Sequence, residues 1–124
     1  MTVVFDTTVL IDLLRGDANA LAYARGLSSE QILCSELSRL ELIQGLRSHE
    51  RSGAEALMNV VAWAAPTTTI CRRAGQLGRL YLRTHVGVTV TDLVIAATAL
   101  ENEAELATTN GKHFPMFPDL IQPY

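Results

Sequence analysis

Thr2-Val3-Val4-Phe5-Asp6-Thr7-Thr8-Val9-Leu10-Ile11-Asp12 opens the chain, and its reading decides the fold. A β-branched and aromatic run stops at Asp6. Two hydroxyl residues follow, and an apolar pattern of helical period then begins at Val9, Leu10, Leu13 and Leu14. This is the signature of a buried strand handing over to a helix, with a carboxylate at the strand's carboxyl end. In open α/β sheets ligands bind at that edge, because loops and helix N-termini converge there. Polar residues elsewhere in the chain that reach the same edge are therefore the candidates for a shared site.

Downstream, strand and helix signals alternate. The first helix runs from about Thr8 to Arg15 and closes at Gly16; Asp17 caps a second, which runs to about Arg25 and closes at Gly26. Ile32-Leu33-Cys34 reads as the second strand, followed by a helix from about Glu36 to Ser48 with Leu37, Leu40, Ile43 and Leu46 on one face. A further helix is expected from about Ala54 to Ala64, carrying Leu57, Met58, Val61 and Trp63 and broken by Pro66. Thr67-Thr68-Thr69 is β-prone and leads into a helix from about Ile70 to Thr84. The Val88-Thr89-Val90 run leads to Thr91-Asp92 and a helix of small and apolar residues from Leu93 to about Glu103. Ala104 to Thr108 and Leu120-Ile121 read as strands. The alternation predicts an α/β fold: a three-layer α/β/α sandwich around a central, mainly parallel sheet of four or five strands, as a single domain over residues 1–124.

Composition narrows the function classes. Hydrophobic residues make up 48% and charged residues 19%, as a globular core requires and a disordered chain does not. A chain of this length buries roughly two-thirds of its unfolded surface. The net charge of −3 excludes a basic nucleic-acid wrapper; a phosphate substrate would need a local basic patch or a bound cation. No apolar run approaches the ~20 residues of a membrane span. An acid at position six speaks against a secretory leader, so a cytoplasmic protein is expected. Cys34 and Cys71 are too few for a disulfide framework or a zinc site and read as two small buried thiols.

Three carboxylates fall where a strand-to-helix edge can gather them: Asp6, Glu41 and Asp92. Each has a structural alternative. Asp6 can cap the first helix, Ser38-Arg39-Leu40-Glu41 matches a capping box, and Asp92 or Thr91 can be an N-cap. The apolar context favours chemistry. Glu41 lies within Leu40-Glu41-Leu42-Ile43 and Asp92 within Val90-Thr91-Asp92-Leu93-Val94-Ile95, where an unpaired charge is costly. Converging carboxylates repel unless a hard divalent cation such as Mg²⁺ or Mn²⁺ sits among them. Thr108-Thr109-Asn110-Gly111-Lys112-His113-Phe114 follows a strand to the same edge, offering the Asn110 carbonyl, the Thr109 hydroxyl and an ambiguous His113.

Val4-Phe5-Asp6-Thr7-Thr8-Val9-Leu10-Ile11, Glu41-Leu42-Ile43-Gln44-Gly45, Asp92-Leu93-Val94-Ile95-Ala96-Ala97-Thr98-Ala99 and Thr109-Asn110 with His113-Phe114 stand in an order and spacing that resembles the PIN-domain ribonucleases of the VapC toxin type. Those are the toxin halves of bacterial toxin–antitoxin pairs, and the likeness spans the chain. The resemblance implies that Asp6, Glu41 and Asp92 are catalytic, metal-binding acids, that Thr7 orients a ligand or water, and that Asn110 is the polar residue of the last motif. It implies a Mg²⁺-dependent endoribonuclease, with Mn²⁺ able to substitute, that cleaves single-stranded regions of tRNA or rRNA by attack of an activated water. It also implies a homodimer and a cognate antitoxin. His113 stands where many members carry a fourth acid, so one ion rather than two is expected.

RNA contacts are expected from cationic residues elsewhere. Arg72, Arg79 and Arg83 are spaced to share a helix face, with a solvated helix side as the plain alternative. Arg15 and Lys112 lie nearer the predicted edge. Two rival functions are weighed. A haloacid-dehalogenase-like phosphatase needs an acid where Thr8 stands and a buried lysine, and Lys112 is the only lysine. A non-catalytic PIN-like binding module is the second rival.

Overall fold

The computed structural model describes residues 1–124. Its sheet has four parallel strands, β1 (Val3–Phe5), β2 (Ile32–Ser35), β3 (Ala62–Ala64) and β4 (Glu105–Ala107), in the order β3-β2-β1-β4. Val3 and Val4 pair with Ile32 and Leu33 on one side, and with Glu105 and Leu106 on the other. Six helices connect and cover the strands: α1 (Thr7–Leu14), α2 (Ala18–Arg25), α3 (Glu36–Gln44), α4 (Arg51–Val60), α5 (Thr68–Tyr81) and α6 (Val90–Glu101).

The strand period of two divides the core. Val4 points to one face, where it packs with Leu106 against α5 and α6 (Ile70, Ala74, Leu77, Leu93, Ile95) and against Phe114. Val3 and Phe5 point to the other face, where Ile32, Cys34, Val9 and Leu10 close over them, with Tyr23 and Tyr124 outside. A smaller cluster of Leu42, Ala54 and Met58 joins α3 and α4 beside Ile11 and Leu14. The expected three-layer α/β/α sandwich is the observed one, with four strands.

Four local expectations are corrected. Trp63, expected on a helix, lies in the edge strand β3: α4 stops at Val60, where β2 offers a parallel edge that Ala62, Trp63 and Ala64 take. The indole N–H donates to the Met58 carbonyl at 2.9 Å, and the Arg39 guanidinium lies over the ring. Thr67-Thr68-Thr69 is no strand. Thr67 is the N-cap of α5, its hydroxyl accepting from Ile70 N–H, and Thr68 and Thr69 begin the helix. The helix after β2 ends at Gln44 rather than Ser48, because Gly45 caps it by donating to the Glu41 carbonyl. Leu120-Ile121 forms no strand either; this segment is irregular and packs Leu120 on the α5–α6 side.

The cysteines also part company. Cys34 is buried, and burial pushes its thiol up to about 12. Cys71 is exposed on α5, its Sγ against the Pro66 carbonyl.

Candidate active site

Parallel strands deliver their carboxyl ends to one edge of the sheet, and here that edge is a polar cleft of about 400 Å³. Asp6 follows β1 directly. Glu41 comes from the second turn of α3, Asp92 from the first turn of α6, and Asn110 and His113 from the segment after β4. All five line the cleft with Thr7, and Ile11 is its single apolar lining residue. The three acids, far apart in sequence, all line this one cleft.

Asp6 is 4% exposed and its carboxylate accepts three hydrogen bonds. Its Oδ1 accepts from Thr7 N–H at 2.8 Å, and Oδ2 accepts from the hydroxyls of Thr8 at 3.0 Å and Thr108 at 2.7 Å. Burial nevertheless raises its pKa above the ordinary carboxylate value, outweighing those three donors, and the charge of Asp92 pushes the same way. Asp6 is also the N-cap of α1, so the structural and the chemical readings of this residue are both true.

Glu41 is held by Thr7, whose hydroxyl donates to Oε1 at 2.6 Å; Ser38 Oγ lies 3.0 Å from the same hydroxyl. The Ser38–Glu41 capping box does not form. Ser35 caps α3 by accepting from Leu37 N–H, and Ser38 turns inward. Asp92 does take part in a capping box, but as its last residue, the third of the helix. Thr89 is the N-cap of α6, its hydroxyl accepting from Asp92 N–H at 3.2 Å, while Asp92 Oδ2 accepts from Thr89 N–H at 2.9 Å. His113 Nδ1 lies 3.1 Å from the same Oδ2, so the residue standing in place of a fourth acid is a neighbour of the third. Asn110 donates its backbone N–H to Thr108 Oγ1 at 3.0 Å.

Thr108 is a site residue that its sequence context does not announce. Only the strand pairing reveals it: Phe5 is registered with Ala107, which sets the next residues, Asp6 and Thr108, side by side. Ser38 is legible from sequence only as a capping candidate, and Thr89 only as part of the run that leads to Thr91-Asp92.

The expected RNA-contacting cations scatter. Lys112 is exposed in a short turn beside His113 and does not itself line the cleft. Arg15 is paired with Glu50 at 3.2 Å and lines a different cavity. Arg79 and Arg83 line a groove of about 740 Å³ between α5 and α6 that shares no residue with the acidic cleft; Arg72 is exposed and outside that groove.

The PIN domain family matches residues 3–119, and the chain is 45% identical over 121 residues to ribonuclease VapC19 of Mycobacterium tuberculosis, covering 96% of this chain and 97% of that one. This chain belongs to the PIN-domain ribonucleases of the VapC type. Ribonuclease VapC10 of the same organism is 38% identical over 125 residues, covering 98% and 92% of the two chains. Among solved structures, a chain of a toxin–antitoxin complex from Klebsiella pneumoniae superposes with a TM-score of 0.83 at 26% identity, covering 99% of this chain and 98% of that one. The VapC-type cleft presents oxygen donors from Asp6, Glu41, Asp92 and Asn110, a set that suits a hard divalent cation. No group of three or more His, Cys, Asp or Glu side chains stands close enough together to hold a metal ion by itself. No helix is long and apolar enough to cross a membrane.

Proposed function

We propose that this VapC-type protein is the toxin of a toxin–antitoxin pair and hydrolyses phosphodiester bonds within single-stranded regions of RNA, such as those of tRNA or rRNA, in a Mg²⁺-dependent reaction that Mn²⁺ also supports. The observation that carries the reading is the meeting of Asp6, Glu41 and Asp92 in one polar cleft at the carboxyl edge of the sheet. Asp6 and Asp92 would hold the ion, with Glu41 beside them. When bound, the cation polarises the phosphate and lowers the pKa of a water at neutral pH.

The protein's own groups prepare the rest. Thr7 fixes Glu41 through Oε1, and Oε2 has no protein partner, which leaves it free to accept a proton from the attacking water. Thr8 and Thr108 hold Asp6 so that its carboxylate cannot swing away from the cleft. His113, against Asp92, supplies a donor for a phosphate oxygen, and Asn110 an amide for a ribose or phosphate.

The partner is a cognate antitoxin that covers the cleft, a reading supported by the likeness to the Klebsiella pneumoniae complex. A homodimer is supported by apolar side chains left in solvent on α3 and at the end of α4, namely Leu40, Ile43 and Val60.

Incubation of the antitoxin-free chain with total cellular RNA and Mg²⁺ or Mn²⁺, with mapping of the cut ends, tests this. Cleavage should disappear with a chelator and fall by at least about 100-fold in Asp6→Asn or Asp92→Asn. Mg²⁺ at about ten times its Kd should stabilise the parent by roughly 1.4 kcal/mol and Asp6→Asn much less. Undiminished cleavage by Asp6→Asn overturns the assignment of the site. RNA binding without cleavage under any metal identifies the binding-module rival instead.

A further inference from the structure

Beside the acidic cleft opens a second cavity, of about 490 Å³, whose lining carries the opposite charge. Arg15 from the end of α1, Arg47 and His49 from the α3–α4 connection, and the buried Glu50 face it. Arg51 follows, exposed, on the first turn of α4. Two guanidinium groups against one carboxylate make the lining of this cavity positive in a chain whose net charge is −3. The nearest acids in sequence are engaged elsewhere: Asp12 on α1 accepts from the Tyr124 hydroxyl, and Asp17, beyond its end, caps α2.

Glu50 organises the corner. Its Oε1 accepts from Arg47 N–H at 2.9 Å and its Oε2 from Arg15 Nε–H at 3.2 Å. Both carboxylate oxygens are used, yet Arg15 has committed only its Nε and Arg47 only its backbone. The two terminal nitrogens of Arg15 and the whole guanidinium of Arg47 have no partner in the protein. Such forks match the oxygens of a phosphate.

The two cavities are joined through shared elements. Ile11 lines the acidic cleft while Leu14 and Arg15 line the basic one, about one helical turn, roughly 5 Å, further along α1. Gln44 and Gly45 line the cleft, and the chain reaches Arg47 two residues later. A polyanion with one phosphate among the acids has its neighbouring phosphates at the rim, where cations must meet them. The arginine-lined α5–α6 groove offers no such continuity.

We propose that Arg15, Arg47 and His49 form a phosphate-binding subsite that grips the RNA strand beside the bond to be cut, with Glu50 as a positioning residue. The subsite rests on the nuclease reading for the identity of its ligand. Continuity with the cleft favours an RNA backbone over an acidic protein segment.

The test is the affinity of a short, labelled, mixed-sequence single-stranded RNA, measured in chelator across a range of salt concentrations. Arg15→Gln combined with Arg47→Gln should weaken binding on the order of tenfold and flatten the slope of log K against log salt by roughly 1.4, about 0.7 for each phosphate no longer neutralised. Arg47→Gln alone keeps the backbone hydrogen bond to Glu50 and should flatten the slope by roughly 0.7, a result available even where the double variant does not fold. Unchanged affinity and slope overturn the subsite, as does the same weakening arising from Arg79→Gln with Arg83→Gln instead. Weakened capture of a polyglutamate peptide with unchanged RNA binding assigns the patch to a protein and also overturns it. Cleavage that depends on Asp6 alongside patch-independent binding leaves the nuclease reading standing without the subsite. Patch-dependent binding by a chain that cuts no RNA does the reverse.

Discussion

Burial of Asp6 disfavours its charged form. Its folded pKa is raised above the unfolded one, so its favourable contribution is complete below the unfolded value and is lost as pH rises through the folded value. Once ionised, Asp6 therefore costs stability in the metal-free protein. Asp6→Asn keeps an oxygen for Thr7 N–H, and the hydroxyls of Thr8 and Thr108 can accept from the new amide. The variant is expected to melt at a higher temperature than the parent at neutral pH without divalent ions, and the gap should close as the pH is lowered toward about 4. Melting curves across that range check it; a variant less stable at every pH would mean that the three hydrogen bonds outweigh the burial. The same trade of stability for chemistry explains why Asp6 can be both helix cap and proposed ligand.

At the level of the elements, α6 matters most, because its first turn carries Asp92 and its body is almost wholly buried. Its start is set by Thr89, ahead of the Thr91 and Asp92 that the sequence offers as caps. Thr89→Ala removes the side chain that satisfies Asp92 N–H and should cost roughly 1 kcal/mol, lowering the melting temperature by about 4 °C. Thr89→Ser should restore both. Thr89→Ala keeps the backbone N–H that Asp92 Oδ2 accepts from, so cleavage should fall no further than the drop in stability accounts for; a larger loss would show that the hydroxyl also positions Asp92. The short strand β3 shows the opposite case. Ala62-Trp63-Ala64 has no strand signal of its own, and its extended form is set by β2, which offers an unpaired edge.

Across the whole molecule, the C-terminal residue ties the chain together. Tyr124 packs beside Tyr23, which packs on Phe5, and its hydroxyl donates to Asp12 Oδ2 at 2.6 Å. Burial first, then the bond to Asp12, pushes the phenol well above its ordinary range. The stability it contributes is thus present below about pH 10 and lost as the pH rises beyond it. Tyr124→Phe should cost roughly 1 kcal/mol at neutral pH, and the difference from the parent should vanish in strong alkali, as urea midpoints against pH will report. A constant difference at all pH values would show that packing rather than the hydroxyl is responsible. This tie joins the two ends of the chain, and nothing local to Pro123 and Tyr124 announces it.

What the chain determined by itself is whatever depends on neighbours in sequence. The handover at Asp6, the alternation of strands and helices, the caps at Asp17 and Gly16 and the buried nature of the stretch around Asp92 are all of this kind, because propensity, capping and hydrophobic period act over a few residues. Tertiary structure decided the rest. Ser38 and Glu41 carry a capping-box pattern, yet they serve Thr7, since a buried hydroxyl from another element competes for them. Thr108 became a partner of Asp6 through strand register, and Arg15 left the acidic cleft for Glu50. Those outcomes depend on which oppositely charged or hydrogen-bonding groups meet across the fold, and distance along the chain carries no record of that.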